Sequence, residues 1–338
     1  MLKLAILTYS PFKFGIYYYA YNLSKELNNM NVDVKVFRTS CPIKNFGIPL
    51  TSIKYGLMNN LLKKFDIIQS NEGLGIGVNH NNLIETYHHD FRSHDELKYY
   101  LYSFLEDIMC KKAKRIIVPS YGTLNRLLSY GHSREKIEVI PHGVDHKFFK
   151  YSNDLRKKTR SKYNISNFTI ITVGQLTKRK CHIDLINALS MLNKRVTLIL
   201  IGYGPQEKNI LSLARKYGMK ILFFRHVPRH ELVCLYNSSD IYVHTSILEG
   251  FCLTVLEALS CGLPVIAYET ADFTELIGKA GFVLKSRDIV GLKNKIELLE
   301  RNKKFMQRLS EEAIIQSRKF SWKESAKKHL KLYNELIC

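Results

Sequence analysis

The stretch SILEGFCLTVLEALSCGLPVIAYE, Ser246 to Glu269, decides how the chain is read. It passes from a polar turn into a segment of helical character, then through Gly262-Leu263-Pro264 into an apolar strand. Two glutamates lie eight positions apart, Glu249 in the turn and Glu257 within the expected helix. That helix is expected to open near Gly250. Its first backbone N–H groups have no intrahelical partner and can receive an anion or a sugar oxygen. Gly250 lets a ligand approach the backbone closely. An ionised carboxylate accepts hydrogen bonds at both oxygens, which suits Glu257 to a vicinal diol such as a ribose. The competing reading is an ordinary amphipathic helix with a surface glutamate.

Outward from this stretch, strands and helices alternate along the chain. LKLAILTY (Leu2–Tyr9) is a nearly continuous apolar run, as expected of a strand buried on both faces of a parallel sheet. A glycine-bearing turn, a helix and the strand VDVKVFR follow, which is the βαβ pattern. A helix around Ser52–Lys64, strands at Asp66–Asn71 and Asn82–Asp90, a long helix over Asp95–Lys112 and a strand at Arg115–Ser120 continue it. Residues 146–167 are polar and basic with little periodicity, and the domain boundary is expected there. Alternation resumes at FTIITVG (Phe168–Gly174), runs through RVTLILIGYG, KILFFRHV, IYVHTS and the opening stretch, and ends in two or three basic amphipathic helices. Two α/β halves of similar size point to paired Rossmann-like domains.

The 338 residues suffice for two domains, and 46% apolar with 24% charged residues describes a folded globular chain. Seven scattered cysteines without a C-x-x-C pair read as reduced and intracellular. The N-terminal apolar run, broken by Ser10-Pro11 and Lys13, is too short for a signal peptide, and no window approaches a membrane span. A cytoplasmic protein, free or peripheral on a membrane face, is the expectation. The net charge of +21 favours an anionic partner: nucleic acid, acidic lipid or a phosphorylated substrate. Residues 1–150 hold 20 basic and 13 acidic side chains and the remainder 31 and 17, so the excess is spread and not held in one tail.

Three further places carry chemistry. Gln175-Leu176-Thr177-Lys178-Arg179-Lys180 follows the strand that ends in Gly174 and precedes a helix. Three successive cations there match a diphosphate, though such a run is often only a solvated face. Gly202-Tyr203-Gly204-Pro205 is a second glycine-bearing turn, but Glu207 stands where GxGxxG needs its third glycine. His88-His89-Asp90, at a strand's carboxyl end, can be a substrate contact at His88, a solvated turn, or part of a metal site with His94; the spacing matches no standard zinc pattern.

Taken together, IPHGVDHKFF, VGQLTKRK, LIGYGP, EGFCLTVLEALSCGLPVIA and FSWKESAKKHLKLYNEL resemble, in this order, the retaining nucleotide-sugar glycosyltransferases of family 4. The carboxyl half matches densely and the amino half thinly. The resemblance implies the GT-B fold: two Rossmann-like α/β domains facing across a cleft, with a final helix crossing back. It places an acceptor domain at 1–150 plus about 321–338 and a donor domain at 151–320. It implies that Glu257 holds the donor ribose and that Glu249 contacts the donor sugar, with the amides of Gly250, Phe251 and Cys252 nearby. Lys180 would neutralise the departing diphosphate, with Arg179 and Gly174 beside it. His88 would contact the transferred sugar, and Gly15 would line the loop near the diphosphate. His88, Lys180 and Glu249 are the expected catalytic residues.

The donor would be a UDP- or GDP-sugar carrying a hexose, with no metal and no further cofactor. The acceptor would be a glycan, a lipid-linked hydroxyl or a small-molecule hydroxyl. The sequence departs from the family at Gln175, where arginine is usual, at Cys181, where glycine is usual, and at Phe14, where a second glycine is common. A GT-B phosphorylase or sugar-nucleotide epimerase is an alternative within the fold. A basic nucleic-acid-binding protein is a third possibility, but the cations are dispersed and no specific nucleic-acid motif is apparent.

Overall fold

The protein, seen in a computed structural model, is described at residues 1–9, 15–39, 47–88, 97–270 and 272–337. Phe14, His89, Asp90 and His94 lie outside these residues. The chain divides into two compact units, Met1–Gly143 together with Trp322–Cys338, and Val144–Ser321.

In the first unit six strands lie parallel in the order β2-β1-β3-β4-β5-β6. They are β1 (Lys3–Tyr9), β2 (Asp33–Thr39), β3 (Ile67–Asn71), β4 (Leu83–Thr86), β5 (Arg115–Val118) and β6 (Ile137–Val139). Leu4, Ala5, Ile6 and Leu7 are all fully buried, which is why that strand shows no alternation. Helices α1 (Gly15–Asn28), α2 (Gly47–Leu57), α3 (Asn59–Leu62), α4 (Leu97–Lys112) and α5 (Tyr121–Ser129) connect the strands. The single helix expected over Ser52–Lys64 is two, broken at Met58. The side chain of Ser120 caps α5 by accepting from the Thr123 amide at 3.0 Å.

The second unit also has six parallel strands, in the order β12-β11-β10-β7-β8-β9. They are β7 (Thr169–Val173), β8 (Thr197–Ile201), β9 (Lys220–Phe224), β10 (Ile241–His244), β11 (Val265–Tyr268) and β12 (Gly281–Leu284). Its helices are α6 (Asn153–Lys162), α7 (His182–Ser190), α8 (Glu207–Lys216), α9 (Arg229–Ser238), α10 (Leu253–Ser260), α11 (Phe273–Ile277), α12 (Ile289–Arg301) and α13 (Lys303–Ser317). From β7 the sheet grows one way through β8 and β9, then the chain returns to place β10 on the other side of β7. The strand order therefore reverses between β7 and β10. Loops leaving the carboxyl ends of such a pair diverge and leave a crevice, the usual ligand position in open α/β sheets.

The basic stretch 146–167 contains a helix, α6, where the sequence suggested irregular chain. Ser152 caps it, and Arg156 and Arg160 reach Asp240 at 2.5 and 3.5 Å. Ion pairs with the start of β10 hold this helix in place of an apolar stripe, so hydrophobic periodicity does not reveal it.

The last helix, α14 (Trp322–Ile337), packs on α1 in the first unit. Trp322, Ala326, His329, Leu332, Tyr333 and Leu336 are buried there. A directed hydrogen-bond chain joins it to the sheet. Tyr333 donates to Gln69 Oε1, and Gln69 Nε2 donates to Tyr19 Oη and Thr86 Oγ1, both at 2.8 Å. Tyr19 then donates to His329 Nε2 at 2.9 Å, and His329 Nδ1 donates to the Ser325 carbonyl at 2.8 Å. Every member of this buried chain has a role, which is the condition for such a network to stabilise.

Buried titratable groups in this unit oppose each other in pH. Burial pushes Glu72 up to about 8, with Glu85 adding to the rise, and burial pushes Glu85 up to about 7. Above the unfolded value of 4.5 the folded unit keeps protons that the unfolded chain releases. This contribution is full in acid and is lost as pH rises through 7 and 8. Burial holds His142 at about 3 and His329 at about 4, against 6.5 unfolded, so their contribution is lost as pH falls below 6.5. Glu85→Gln, which mimics the protonated carboxyl, is expected to raise the thermal midpoint at pH 8 and leave it nearly unchanged at pH 5. An unaltered pH slope between 5 and 8 would refute this assignment.

Candidate active site

Two loops meet at the reversal point of the second sheet. The first leaves β7 at Gly174, crosses Gln175–Thr177 and makes one tight turn at Lys178–Lys180. Cys181 follows in the left-handed region, φ 46°, and opens α7. A side chain there costs roughly 1–2 kcal/mol, which is the physical reason a glycine would suit that position. The turn after β8 packs backbone against backbone beneath this loop. Gly202 has φ 150°, and a Cβ on it would lie 1.8 Å from the Gly174 carbonyl oxygen. Gly202 thus serves close approach of two turns and not a dinucleotide motif.

The second loop leaves β10 at His244 and carries Thr245 to Cys252. The two loops are bonded through their backbones: Ile247 N donates to Arg179 O at 3.1 Å, and Thr245 Oγ1 donates to Lys180 O at 2.8 Å. Their side chains converge on Glu249. Lys180 Nζ donates to Oε1, Arg179 lies at 3.3 Å and His244 Nε2 at 3.0 Å from the same oxygen. Arg179 also donates to the Leu248 carbonyl and to Ser246 Oγ. Burial works to raise the Glu249 carboxyl, but Lys180, His244 and Arg179 outweigh it and hold the group well below its ordinary range. Burial would lower His244; the Cys252 thiol and Glu249 raise it instead. The result is a fixed carboxylate inside a cationic shell. Gly174 sits against the Lys180 stem, where a Cβ would be 3.7 Å from Cε.

The helix expected near Gly250 begins at Leu253, with Cys252 at its N-cap. Gly250, Phe251 and Cys252 therefore belong to the loop, and Phe251 packs on Phe320. The shift arises because Gly250 and Phe251 extend the loop before helical backbone sets in. The Cys252 side chain makes no capping bond, so it leaves the first-turn amides of α10 to other acceptors. Glu257, one turn further on, is 7% exposed. Its Oε1 accepts from Arg229 at 3.2 Å and its Oε2 from Tyr236 Oη at 3.3 Å. Burial raises this carboxyl above its ordinary range, with Arg229 opposing. Arg229 in turn lies over the rings of Phe148 and Phe149, 5.6 and 4.7 Å from their centroids.

Among the described residues His244, Glu249 and Cys252 offer three donor atoms within 4.8 Å of one another. An imidazole, a carboxylate and a thiol suit a borderline-soft cation such as zinc. The ammonium of Lys180 and the guanidinium of Arg179 already bond Oε1 of that carboxylate. A divalent cation would have to enter against both charges, so the residues fit a metal poorly.

The remaining candidates lie in the first unit. Gly15 is the first residue of α1. His88 follows β4 and is buried. Its Nε2 donates to Asn71 Oδ1 at 2.7 Å, and its Nδ1 lies 3.3 Å from His142 Nε2. Asn71 donates its own amide to the Leu7 carbonyl, which fixes its oxygen toward His88. Gln175, where an arginine is usual in the resembling family, is exposed, and Arg179 is turned inward onto Glu249. His244, Arg229, Tyr236, Asn71 and His142 were not singled out by the sequence. His244 and Asn71 had a visible signal, each a polar residue closing a buried strand.

The chain matches the family model "Glycosyl transferases group 1" over residues 155–316 and the model "Glycosyltransferase Family 4" over residues 15–148. It is 27% identical over 360 residues to the glycosyltransferase MJ1069 of Methanocaldococcus jannaschii, an alignment covering 96% of this chain and 91% of that one. It is 25% identical over 240 residues to the serotype-specific mannosyltransferase WbdA of Escherichia coli. That alignment covers 67% of this chain but only 29% of WbdA, so the match spans less than a third of that relative. In fold it is similar to Anabaena HepE, solved in complex with UDP and glucose, with a TM-score of 0.81 at 21% identity over 99% of this chain and 100% of that one.

The cationic shell around Glu249 gives a stability test. Glu249→Gln leaves Lys180, Arg179 and His244 facing one another, and a loss of about 3 kcal/mol is expected. Adding Lys180→Met should recover part of that loss in a double-mutant cycle measured by denaturant unfolding. A coupling under about 0.5 kcal/mol would show that the pair does not hold the loops together.

Proposed function

The chain belongs to the group 1 glycosyltransferases of family 4, and on that premise we propose a retaining transfer of a hexose from a nucleoside-diphosphate sugar to a hydroxyl acceptor. The observation that carries this reading is the carboxylate of Glu249 fixed by Lys180, Arg179 and His244 at the reversal point of the second sheet, beside the first-turn amides of α10. That relatives include a mannosyltransferase and a structure with UDP and glucose supports a hexose and a nucleoside diphosphate.

In this reading the second unit binds the donor and the first unit the acceptor. Glu257 takes the ribose diol, whose hydroxyls replace Arg229 or Tyr236 as hydrogen-bond donors. Glu249 accepts from the sugar hydroxyls, while Lys180, Arg179 and the amides of Gly250, Phe251 and Cys252 face the diphosphate. Gly174 leaves room for the Lys180 stem, and Gly15 lines the diphosphate from the start of α1. His88 contacts the sugar by exchanging one of its two present partners for a hydroxyl.

The chemistry then follows from charge. The bond from the anomeric carbon to the leaving phosphate oxygen breaks, and the acceptor oxygen forms its bond on the same face. The acceptor's proton passes to the leaving phosphate oxygen. Charge grows on the diphosphate as this happens, and preorganised cations and amides stabilise it more than water would. Lys180 is the group with most to gain, since it then divides its charge between Glu249 and the phosphate. Two cations at this place supply the neutralisation that a divalent ion gives elsewhere, so the reaction is proposed to need no metal.

The excess of 21 positive charges supports an acceptor presented at an anionic membrane face, a lipid-linked hydroxyl. The free thiols of Cys181, Cys234, Cys252 and Cys261 support a reducing, cytoplasmic setting. No helix among the described residues is long and apolar enough to cross a membrane.

A thermal-shift panel of UDP- and GDP-sugars is expected to pick out one donor class, since binding raises the midpoint by mass action. With that donor, Lys180→Ala and Glu257→Ala should lose transfer by at least about 100-fold while staying folded. Full activity in both variants would sink the assignment of the donor site. Transfer should also persist after exhaustive treatment with EDTA; activity that returns only with added metal would overturn the metal-free mechanism.

A further inference from the structure

Helices α2 and α4 present an apolar outer surface that takes no part in the core formed by the described residues. Both pack on the same face of the first sheet, and their inner residues Ile48, Tyr55, Tyr102 and Met109 join one core with Ala5, Leu7 and Ile68. The outer residues face away from it. On α2, Leu50, Ile53 and Leu57 recur at helical spacing and are 40, 60 and 84% exposed. On α4, Tyr100 and Phe104 lie one turn apart and are 60 and 61% exposed, with Leu101 beside them. The two helices contact one another, so these residues belong to neighbouring parts of one surface. Single exposed apolar residues are ordinary, but a grouped set on adjacent helices marks an interaction surface.

The charge around this surface selects the partner. From Gly47 to Phe65 the chain carries Lys54, Lys63 and Lys64 and no acidic side chain, and all three lysines are exposed. The two acidic residues of α4 are withdrawn: Glu106 is buried, and Asp107 is paired with Lys111 at 2.9 Å and His132 at 3.1 Å. Apolar side chains flanked by exposed lysines, none of them ion-paired among the described residues, match a surface that is negative at its face and apolar just beneath. That is the profile of an acidic lipid leaflet.

We propose that the outer face of α2 and α4 docks on an anionic lipid surface, with Ile53, Leu57, Tyr100 and Phe104 entering the headgroup–acyl boundary and Lys54, Lys63 and Lys64 against the lipid phosphates. The helices lie in the plane of the surface and do not span it. This docking deepens the lipid-linked acceptor proposed above and rests on it for its purpose.

The test is flotation of the full chain with vesicles of phosphatidylcholine alone or mixed with phosphatidylglycerol. The protein should float with the acidic vesicles, not with the neutral ones, and release at about 0.5 M salt. Two variants probe the two halves of the surface: Leu57→Asp with Phe104→Asp, and Lys54→Glu with Lys63→Glu and Lys64→Glu. Each is expected to bind acidic vesicles at least about tenfold more weakly while keeping the thermal midpoint and the donor-induced thermal shift. Docking is overturned if the unaltered protein stays with the soluble fraction, or if both variants float as it does. It is equally overturned if sedimentation shows a self-associated protein that only Leu57→Asp with Phe104→Asp disperses. A donor shift without flotation removes the docking and leaves the transferase standing. Flotation without a shift from any nucleotide sugar leaves the docking and removes the proposed donor.

Discussion

One carboxylate carries much of the second unit's order. Glu249 draws Lys180 and Arg179 from positions 69 and 70 residues earlier, and His244 from the strand just before it. Without one another, Glu249 and its cations would each leave a charge for water to solvate. With them, two loops that the strand order forces apart are tied across the crevice. Removing ions from water is costly, and the cluster persists because several donors share one anion in good geometry. The cations so gathered are the ones proposed above to meet the donor's phosphates.

The alternation of strands and helices was legible because both sheets are parallel and buried on two faces. Runs such as Leu4–Leu7 and Leu198–Ile201 show this burial directly. Glu249, Glu257 and Lys180 could be picked out because their spacing lies within short continuous motifs. Helix α6 could not, since Asp240, which anchors it, lies far along the chain. Arg229 and Tyr236 escaped for the same reason: each meets Glu257 only through tertiary packing. The start of α10 was placed three residues early, a matter of where the backbone turns helical rather than of which residues gather.

His88 shows a different limit. The sequence offered it as a residue at the end of a strand, open to a ligand, a metal or solvent. The structure gives both its ring nitrogens a partner, Asn71 on one side and His142 on the other. Tyr19 packs its ring against both histidines, and Trp322 stacks on His142. A tautomer is thereby imposed on His88 by Asn71 of β3, with His142 from the segment after β6 facing the other ring nitrogen. Local sequence carries no trace of that constraint.

The placement of α14 has a consequence for how the molecule is made. The first unit is interrupted at Gly143 and resumes at Trp322, and between them lies the whole of the second unit. During synthesis the early strands therefore emerge with Gln69 and Tyr19 still lacking the helix that completes their hydrogen-bond chain. Val144 through Ser321 can gather its own sheet first, and its two ends are brought side by side, Val144 N donating to Phe320 O at 3.2 Å. The first unit thus cannot become whole until the chain has been made through Val144–Ser321 and on into α14.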